Sequence, residues 1–335
     1  MALERVDLET HEPMPVGTES GGHETQLRAI NPRASEGFSL ETKKVNLAAE
    51  IGGTLVPATL EFPADPDNIE DSRPLTIVNG YGAKKFGYDG LRAALAQHGK
   101  AAISMQPYGL QSFASRFGRD HFLHPEILLS KALYGVMRKT QDNADQYPEL
   151  DVEKFDLAGH SLGLHTSTTT ALHKPDMVAS ITNVEGVGCE NSRSLWRMLG
   201  RIRPFLRHEA LPAYREDGLK FEKGTLHAIR SEIDYFFPHL TQAVIRGYMA
   251  ATCDNRQDLA YLKREHNIKL AAILGNRDQL IPADETVRAS WGLFDYAKVI
   301  DANHLGPVTD PYVFAHEIVT CIDHLRSDPQ PQSVT

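Results

Sequence analysis

A pentapeptide near the middle of the chain has the residue types of a serine nucleophile site. Residues Gly159 to Gly163 read Gly-His-Ser-Leu-Gly, which places Ser161 between two glycines in the spacing Gly-x-Ser-x-Gly. This spacing is typical of a sharp strand-to-helix turn, in which the central residue is strained and its hydroxyl is exposed. We therefore expect Ser161 to project at the edge of a β-sheet, beside the positive end of a helix.

A serine hydroxyl is a weak nucleophile until a base removes its proton, so this chemistry requires a histidine and a carboxylate that orients it. Two loops downstream supply such residues. Asp278 lies in Gly-Asn-Arg-Asp-Gln, directly after an apolar run, and His304 lies in Asp-Ala-Asn-His-Leu, after the last apolar run. The chain order Ser161, Asp278, His304, with each residue following a candidate strand, predicts acyl transfer through the serine.

Short apolar runs precede these loops and recur along the chain. Runs of this kind, bounded by glycine or polar turns, suit strands of a parallel sheet that is buried on both faces. The runs cover residues 75–78, 101–105, 155–158, 178–181, 270–274 and 297–300. Residues 44–48 and 55–60 flank Gly52-Gly53 and predict a β-hairpin, in which Pro57 indicates an edge strand or a bulge.

Helical patterns lie between the predicted strands. One runs from Tyr88 to His98 and ends at Gly99, a second opens at Pro125, and a third opens at Asp310-Pro311. Strand and helix therefore alternate, which predicts an α/β fold with a mostly parallel central sheet flanked by helices.

The domain boundaries follow from where this alternation starts and stops. Residues 189–262 offer helical pieces and no strand, so we expect an inserted helical cap there. The core is then expected over 38–188 and 263–327. Polar residues without periodicity predict a flexible arm over 1–37 and a flexible tail over 328–335.

Composition and charge exclude several classes of protein. The chain has 335 residues, with 35 Lys and Arg against 44 Asp and Glu, and its formal charge of −9 argues against nucleic acid as the main partner. The three cysteines are too few and too scattered for a disulfide framework or a metal cluster. No phosphate-binding glycine loop and no metal-ligand spacing is present, so we expect no cofactor and no metal.

The location is also inferred from composition. The chain opens without the apolar run of a secretion signal, and it has no stretch of 18 apolar residues that would span a membrane. We therefore expect a cytoplasmic protein. The sequence leaves open whether it forms a homo-oligomer.

On these residues and their order, the chain resembles the α/β-hydrolase superfamily from about residue 43 to residue 327. The resemblance implies that Ser161 is the nucleophile, that His304 is the general base and then the general acid, and that Asp278 fixes the imidazole tautomer. Some members carry the acid one strand earlier, where this chain has Glu185, so Glu185 is the alternative acid. Asp301, three residues before His304, is interpreted as a turn residue, and His160 as a packing residue beside the sheet.

The tetrahedral intermediate of acyl transfer needs two backbone N–H donors, which form an oxyanion hole. We expect one from Leu162, directly after the nucleophile. The second is expected from Tyr81, in the loop after residues 75–78. The superfamily often has His-Gly at the start of this loop, whereas this chain has Asn79-Gly80, whose amide side chain could still brace the loop.

The predicted cap contains apolar and basic residues that bear on the substrate. Apolar side chains that could line an acyl or alkyl pocket, but that are more often simply packing, are Trp196, Leu199, Phe205, Leu206, Tyr235, Phe236, Phe237, Leu240 and Met249. A basic run comprises Arg193, Arg197, Arg201, Arg203 and Arg207. The favoured interpretation of this run is a solvated face paired to the acidic core; the alternative is attraction of an anionic substrate.

The expected function is that of a serine hydrolase that cleaves a carboxylic ester, or a related thioester, lactone or amide, in a small-molecule substrate. An acyltransferase would use the same residues, with an alcohol or a thiol in place of water. A ligand-binding protein of low turnover is the alternative from another class. Epoxide hydrolases and dehalogenases of this fold use a carboxylate nucleophile at the elbow, so Ser161 argues against both.

Overall fold

The computed structural model describes residues 40–80, 88–105, 125–190, 195–210, 212 and 247–327. Eight strands form one sheet in the order β1-β2-β4-β3-β5-β6-β7-β8. They are β1 (Thr42–Ile51), β2 (Thr54–Pro63), β3 (Asp71–Val78), β4 (Lys100–Met105), β5 (Phe155–His160), β6 (Val178–Val184), β7 (Lys269–Gly275) and β8 (Tyr296–Ile300). The pairs β1–β2 and β2–β4 are antiparallel and the other five are parallel, which confirms the predicted fold class.

The predicted hairpin forms the antiparallel edge of the sheet. Its turn uses positive φ angles at Gly52 (54°) and Gly53 (78°), which glycine adopts without steric cost. Pro57 lies in β2 just before the stretch from Ala58 to Glu61 that pairs with β4, so its missing N–H costs no hydrogen bond to that strand.

Helices cover both faces of the sheet. The helices are α1 (Asp89–Gln97), α2 (Pro125–Asp142), α3 (Gly163–His173), α4 (Leu195–Phe205), α5 (Arg256–His266), α6 (Ala283–Ala289), α7 (Gly306–Thr309) and α8 (Pro311–Arg326), within the described residues. Apolar side chains of α2, α3 and α5 form one buried cluster with the sheet. Those of α1 and α8 form a second cluster on the other face.

The helix boundaries follow the predicted signals. Gly99 follows α1 with a φ of 74°, Pro125 opens α2, and Pro311 opens α8. Parallel strands buried on both faces have their carboxyl ends at one edge, and the loops that leave this edge carry the candidate site residues.

Between β6 and β7, the described residues form helices and turns and no strand. They include α4, a π-helical turn (Leu206–Ala210), a helical stretch over 247–252, and α5. Leu259 and Leu262 of α5 are buried in the same cluster as α2 and α3, so this last helix belongs to the layers of the core. A separate cap over 189–262 stays a prediction, because residues 213–246 lie outside the described part.

The terminal predictions also concern residues outside the described part, since it begins at residue 40 and ends at residue 327. Among the helices that the structure describes, none is both long enough and apolar enough to cross a membrane.

Candidate active site

The predicted elbow forms at the carboxyl end of β5. Ser161 has a φ of 53°, in the left-handed region, and it lies between His160, the last residue of β5, and the start of α3. A Cβ atom at Gly159 would lie 2.6 Å from Leu164 Cα, and one at Gly163 would lie 2.0 Å from the carbonyl oxygen of Val78. Both contacts are too short for a real Cβ atom, so each flanking glycine is required by close packing.

The backbone of Ser161 is tied to the neighbouring strand. Its N–H donates to the carbonyl oxygen of Val184 at 3.2 Å, and its own carbonyl oxygen accepts from Val187 N–H at 3.1 Å. The loop after β6 therefore holds the elbow from outside and fixes the direction of the serine side chain.

The structure brings the three sequence-predicted residues into one hydrogen-bonded row. Ser161 Oγ lies 3.1 Å from His304 Nε2, and His304 Nδ1 lies 2.8 Å from Asp278 Oδ2. Asp278 and His304 are buried, with 4% and 5% of their surface exposed. The three residues come from the loops after β5, β7 and β8, whose carboxyl ends meet at this edge of the sheet.

The second oxygen of Asp278 is also bound. Oδ1 accepts the backbone N–H groups of Leu280 at 2.7 Å and Ile281 at 2.8 Å. The loop after β7 therefore turns around the carboxylate, and this leaves Oδ2 directed at the imidazole.

The environment of His304 favours its charged form. Burial alone would lower the pKa of this imidazole, but the nearby carboxylates of Asp278 and Glu209 outweigh burial and raise the pKa above its ordinary value of 6.5. The same carboxylates would stabilise the imidazolium that forms when His304 takes the proton of Ser161.

The alternative acid, Glu185, lies close to the row but not on it. Its carboxylate is 3.8 Å from His160 Nε2, and it is Asp278 that contacts His304 Nδ1. Burial raises the pKa of Glu185 well above its ordinary range, and the carboxylates of Asp278 and Glu209 raise it further. The site therefore favours the neutral form of Glu185, which makes it less suited than Asp278 to stabilise an imidazolium.

Glu209 is a site residue that the sequence analysis missed. It lies in the π-helical turn after α4, and its two carboxylate oxygens accept the backbone N–H groups of Gln279 at 2.6 Å and His304 at 2.7 Å. Burial raises the pKa of Glu209 to about 7. No local motif marks this residue, and only the tertiary fold brings it beside His304.

His160 is buried, as expected for a packing residue, but its ring is also part of a hydrogen-bond network. Nε2 lies 3.0 Å from the carbonyl oxygen of His304, and Nδ1 contacts the hydroxyl of Tyr88, which accepts the N–H of Gly80 at 3.3 Å. The carbonyl can only accept, so Nε2 carries the proton and Nδ1 accepts from Tyr88. Burial, together with the proximity of His304, lowers the pKa of His160 well below its ordinary value, so this ring stays neutral.

The predicted oxyanion hole lies only partly within the described residues. Leu162 is buried directly before α3, in the position expected of an N–H donor, whereas Tyr81 lies outside the described residues. The Asn79 side chain donates to the carbonyl oxygen of Met105 at 3.1 Å, which braces the end of β3 against β4. A Cβ atom at Gly80 would lie 2.9 Å from Ser161 Cβ, so the start of this loop passes directly beside the nucleophile.

Two apolar side chains of α4 lie near this row. The ring of Phe205 meets the ring of His304 edge to face, with centroids 6.0 Å apart. Met198 is buried in a small cluster that includes Leu162 and Ile281.

The other apolar residues named for the predicted cap do not share one environment. Trp196 and Leu206 are exposed, at 80% and 47%, while Met249 is half-buried. Residues outside the described part, or with undescribed side chains, are Leu199, Tyr235, Phe236, Phe237 and Leu240.

Within the described residues, Arg201 of the basic run forms an ion pair to the core. Arg201 Nη2 lies 2.7 Å from Glu285 Oε2, in the first turn of α6, and Nη1 donates to the carbonyl oxygen of Leu280 at 3.2 Å. This pairing supports the favoured interpretation for Arg201. The members that are exposed are Arg197, Arg203 and Arg207, and Arg193 lies outside the described residues.

One group of side chains within the described residues has the spacing of metal ligands. His160, Glu185 and His304 each offer a donor atom within 4.8 Å of the others. The ring nitrogens of His304 already contact Ser161 and Asp278, and His160 Nε2 donates to a carbonyl. The group is therefore better described as part of a proton network than as a metal centre.

An eight-stranded, mostly parallel sheet with a serine elbow after β5 and a histidine after β8 is the α/β-hydrolase fold, and comparison with solved structures shows the same fold. A membrane phospholipase A, described as a bacterial virulence factor, superposes with a TM-score of 0.56 at 13% identity, over 90% of this chain and 92% of its own. The 2-hydroxy-6-oxo-6-phenylhexa-2,4-dienoate hydrolase of Rhodococcus sp. strain RHA1 gives 0.54 at 14% identity, over 84% and 100%. A thermophilic esterase from Thermogutta terrifontis gives 0.50 at 15% identity, over 84% and 99%.

Comparisons at the sequence level give no match. No family model matches the chain, and no curated protein matches it. At identities of 13–15%, the structural matches show the fold alone.

Proposed function

We propose that this protein is a serine hydrolase that cleaves a carboxylic ester, or a related thioester, lactone or amide, through an acyl-enzyme on Ser161. The observation that carries the proposal is the row Ser161–His304–Asp278, with contacts of 3.1 Å and 2.8 Å. A nucleophile, a base and an orienting acid at hydrogen-bond distances are the components that acyl transfer requires.

In the first half of the reaction, His304 Nε2 removes the proton of Ser161 Oγ as this oxygen attacks the carbonyl carbon of the substrate. The oxyanion of the tetrahedral intermediate accepts hydrogen bonds from the N–H of Leu162 and, as the sequence predicts, the N–H of Tyr81. The intermediate collapses when its bond to the leaving group breaks, and His304 gives its proton to that group. Asp278 holds the imidazole in the required tautomer throughout.

In the second half, a water molecule takes the place of the leaving group. His304 removes a proton from this water as it attacks the acyl carbon, and the proton then passes to Ser161 Oγ as the acyl-enzyme bond breaks. The product acid leaves, and the enzyme returns to its starting state.

Two apolar residues near the row favour a substrate with an apolar acyl or alcohol part. Phe205 faces His304, and Met198 packs in the cluster that includes Leu162, next to the nucleophile. The names of the structural relatives, which include an esterase and a phospholipase, are compatible with this class of reaction.

The acyltransferase and low-turnover alternatives share the same row of residues. In an acyltransferase, an alcohol or a thiol would replace water in the second half of the reaction. A ligand-binding protein would have the same residues but a low rate of turnover. A helical cap within the predicted range 189–262, ahead of α5, and a cytoplasmic location are further parts of this proposal, and the oligomeric state stays open.

The test is covalent labelling with a fluorophosphonate probe, which phosphonylates an activated serine. The wild type is expected to be labelled, and Ser161→Ala is expected to lose both labelling and ester hydrolysis. Ser72→Ala, at the opposite edge of the sheet, is the matched control and should be labelled like the wild type. A folded wild type that takes no label would contradict the proposal.

The substrate class is tested with p-nitrophenyl esters whose acyl chains run from about two to about sixteen carbons, since each added methylene that is buried contributes about 0.8 kcal/mol. A rate that rises with chain length would support a long apolar acyl group. Release of p-nitrophenol that depends on an added alcohol or thiol would instead support the acyltransferase.

A further inference from the structure

The acid and the base of this site lie on separate loops, and one side chain from a third segment binds both. Asp278 follows β7 and His304 follows β8. Glu209, from the turn after α4, accepts the N–H of Gln279 through Oε1 and the N–H of His304 through Oε2. The first of these donors is the residue directly after Asp278, and the second is the base itself.

We propose that Glu209 is a positioning residue, which holds the loops of the acid and the base in register and couples the segment over 195–210 to catalysis. The proposal rests on the proposed function, because it concerns the same site. Glu209 acts through Asp278 and His304 rather than on the substrate.

The two hydrogen bonds that Glu209 accepts are short, and its side chain is buried. Both distances, 2.6 Å and 2.7 Å, are short, as expected for hydrogen bonds to a carboxylate, and only 3% of Glu209 is exposed. A buried carboxylate that lost these donors would incur a desolvation penalty, so the turn and the two loops stabilise one another.

The turn that carries Glu209 follows a segment that is itself anchored to the core. On the N-terminal side, Arg201 binds Glu285 and the carbonyl oxygen of Leu280, and Phe205 packs edge to face on His304. A π-helical turn, of the kind often found at functional sites, then brings Glu209 over the loops. The segment over 195–210 therefore contacts the acid loop and the base through several side chains.

The charge of Glu209 adds an electrostatic effect to this positional one. Among the described residues, the titratable groups that face Glu209 and the site are Asp278 from the loop after β7, Glu185 from the loop after β6, His160 from the end of β5, and His304 from the loop after β8. Burial favours the neutral forms of Glu185 and His160, whereas the carboxylates of Asp278 and Glu209 raise the pKa of His304. A neutral residue at position 209 should therefore lower the pKa of His304.

The experiment compares Glu209→Gln with the wild type in ester hydrolysis and in the rate of fluorophosphonate labelling, followed from about pH 5 to about pH 9. The glutamine can accept only one of the two N–H groups. We expect kcat to fall about 10-fold to 100-fold, because misplaced catalytic groups lose rate, while KM changes less than about twofold. The labelling rate falls on the acid side of the pH profile as His304 is protonated, and this acid limb should move to lower pH in Glu209→Gln.

Glu153→Gln is the matched control, because it makes the same exchange at an exposed position before β5, at the opposite end of the sheet from the site. It should leave kcat and the acid limb unchanged. Glu209→Asp keeps the charge with a shorter reach, so kcat should fall while the acid limb stays near that of the wild type. Thermal unfolding of each variant shows whether it is folded, and Glu209→Asp carries the test if the glutamine variant does not fold.

The outcomes separate this inference from the proposed function. If the wild type is neither labelled nor active on esters, the proposed function fails and the inference fails with it. If the wild type is active and Glu209→Gln matches it in kcat and in the acid limb, the positioning role alone is wrong. An equal loss of kcat in Glu153→Gln would also overturn it, because the effect would then not depend on the contacts of Glu209.

Discussion

The ring of His160 donates a hydrogen bond from Nε2 to the backbone carbonyl oxygen of His304, at 3.0 Å. On the other side of the same residue, the N–H of His304 donates to Glu209 Oε2 at 2.7 Å. The backbone of the candidate base is thus held at both of its polar groups, while Asp278 orients its ring. A histidine next to the nucleophile in sequence therefore contributes to the position of the base.

Replacement of His160 by phenylalanine tests this relationship. His160→Phe retains most of the ring volume but removes the donor to His304 and the acceptor from Tyr88. We expect the free energy of unfolding to fall by about 2–3 kcal/mol, because buried polar groups lose their partners, and the labelling rate of Ser161 to fall as well. Urea denaturation measures the first effect and fluorophosphonate kinetics the second.

The control for this variant is His173→Phe, on an exposed position of α3, where we expect a change within about 0.5 kcal/mol. Similar free energies of unfolding for His160→Phe and the wild type would show that the network does not stabilise the fold. Tyr88→Phe, which removes only the hydroxyl, should have a smaller effect than His160→Phe.

The identity of the acid is tested by a pair of isosteric variants. Asp278→Asn should lower kcat about 10³-fold to 10⁴-fold, because the amide no longer holds the required imidazole tautomer or stabilises the imidazolium. Glu185→Gln should change kcat little, because burial favours the neutral form of Glu185 and its carboxyl group lies near His160, whereas Asp278 contacts His304 Nδ1. Steady-state kinetics of ester hydrolysis makes the comparison, and the reverse order of effects would assign the acid to Glu185.

The pH dependence of the reaction follows from the raised pKa of His304. The base must be neutral to accept the proton of Ser161, so the rate should fall as His304 becomes protonated. Because the pKa lies above its ordinary value of 6.5, the midpoint of the acid limb of kcat/KM should also lie above 6.5. Labelling rates across the pH range measure this midpoint, and a value below 6.5 would contradict the electrostatic argument.

The sequence predicts the parts of the site that depend on local turns. The elbow at Ser161 and the strands before Asp278 and His304 follow from glycine spacing and from short apolar runs. The contacts of Glu209 and Tyr88 could not be predicted, because each links segments far apart in the chain and neither residue lies in a motif. The C-terminal boundary of the predicted cap is also hard to predict, because α5 has the same helical pattern whether it lies in a cap or packs on the sheet.

Close packing makes a sharp prediction at the elbow. Gly163→Ala would put a Cβ atom 2.0 Å from the carbonyl oxygen of Val78, a backbone atom that cannot move away without displacing β3. We expect a loss of at least about 4 kcal/mol in the free energy of unfolding, or no folded protein. In contrast, Gly200→Ala in α4 meets open space and should stabilise the protein by up to about 1 kcal/mol, through helix propensity. Thermal and urea denaturation measure the stability of both variants. Similar free energies of unfolding for the two would contradict the steric argument.

The buried carboxyl of Glu185 predicts how stability changes with pH. Its pKa is raised in the folded state, so above the ordinary pKa of 4.5 the folded protein retains a proton that the unfolded chain has lost. The free energy of unfolding should therefore fall as pH rises from the ordinary pKa toward the raised one. Glu185→Gln cannot titrate and resembles the neutral acid in shape, so it should escape this loss and gain stability relative to the wild type as pH increases. Urea denaturation of both proteins across this range measures the difference, with the exposed Glu153→Gln as a control that should track the wild type. A difference between Glu185→Gln and the wild type that stays constant with pH would mean that Glu185 does not hold its proton in the folded state.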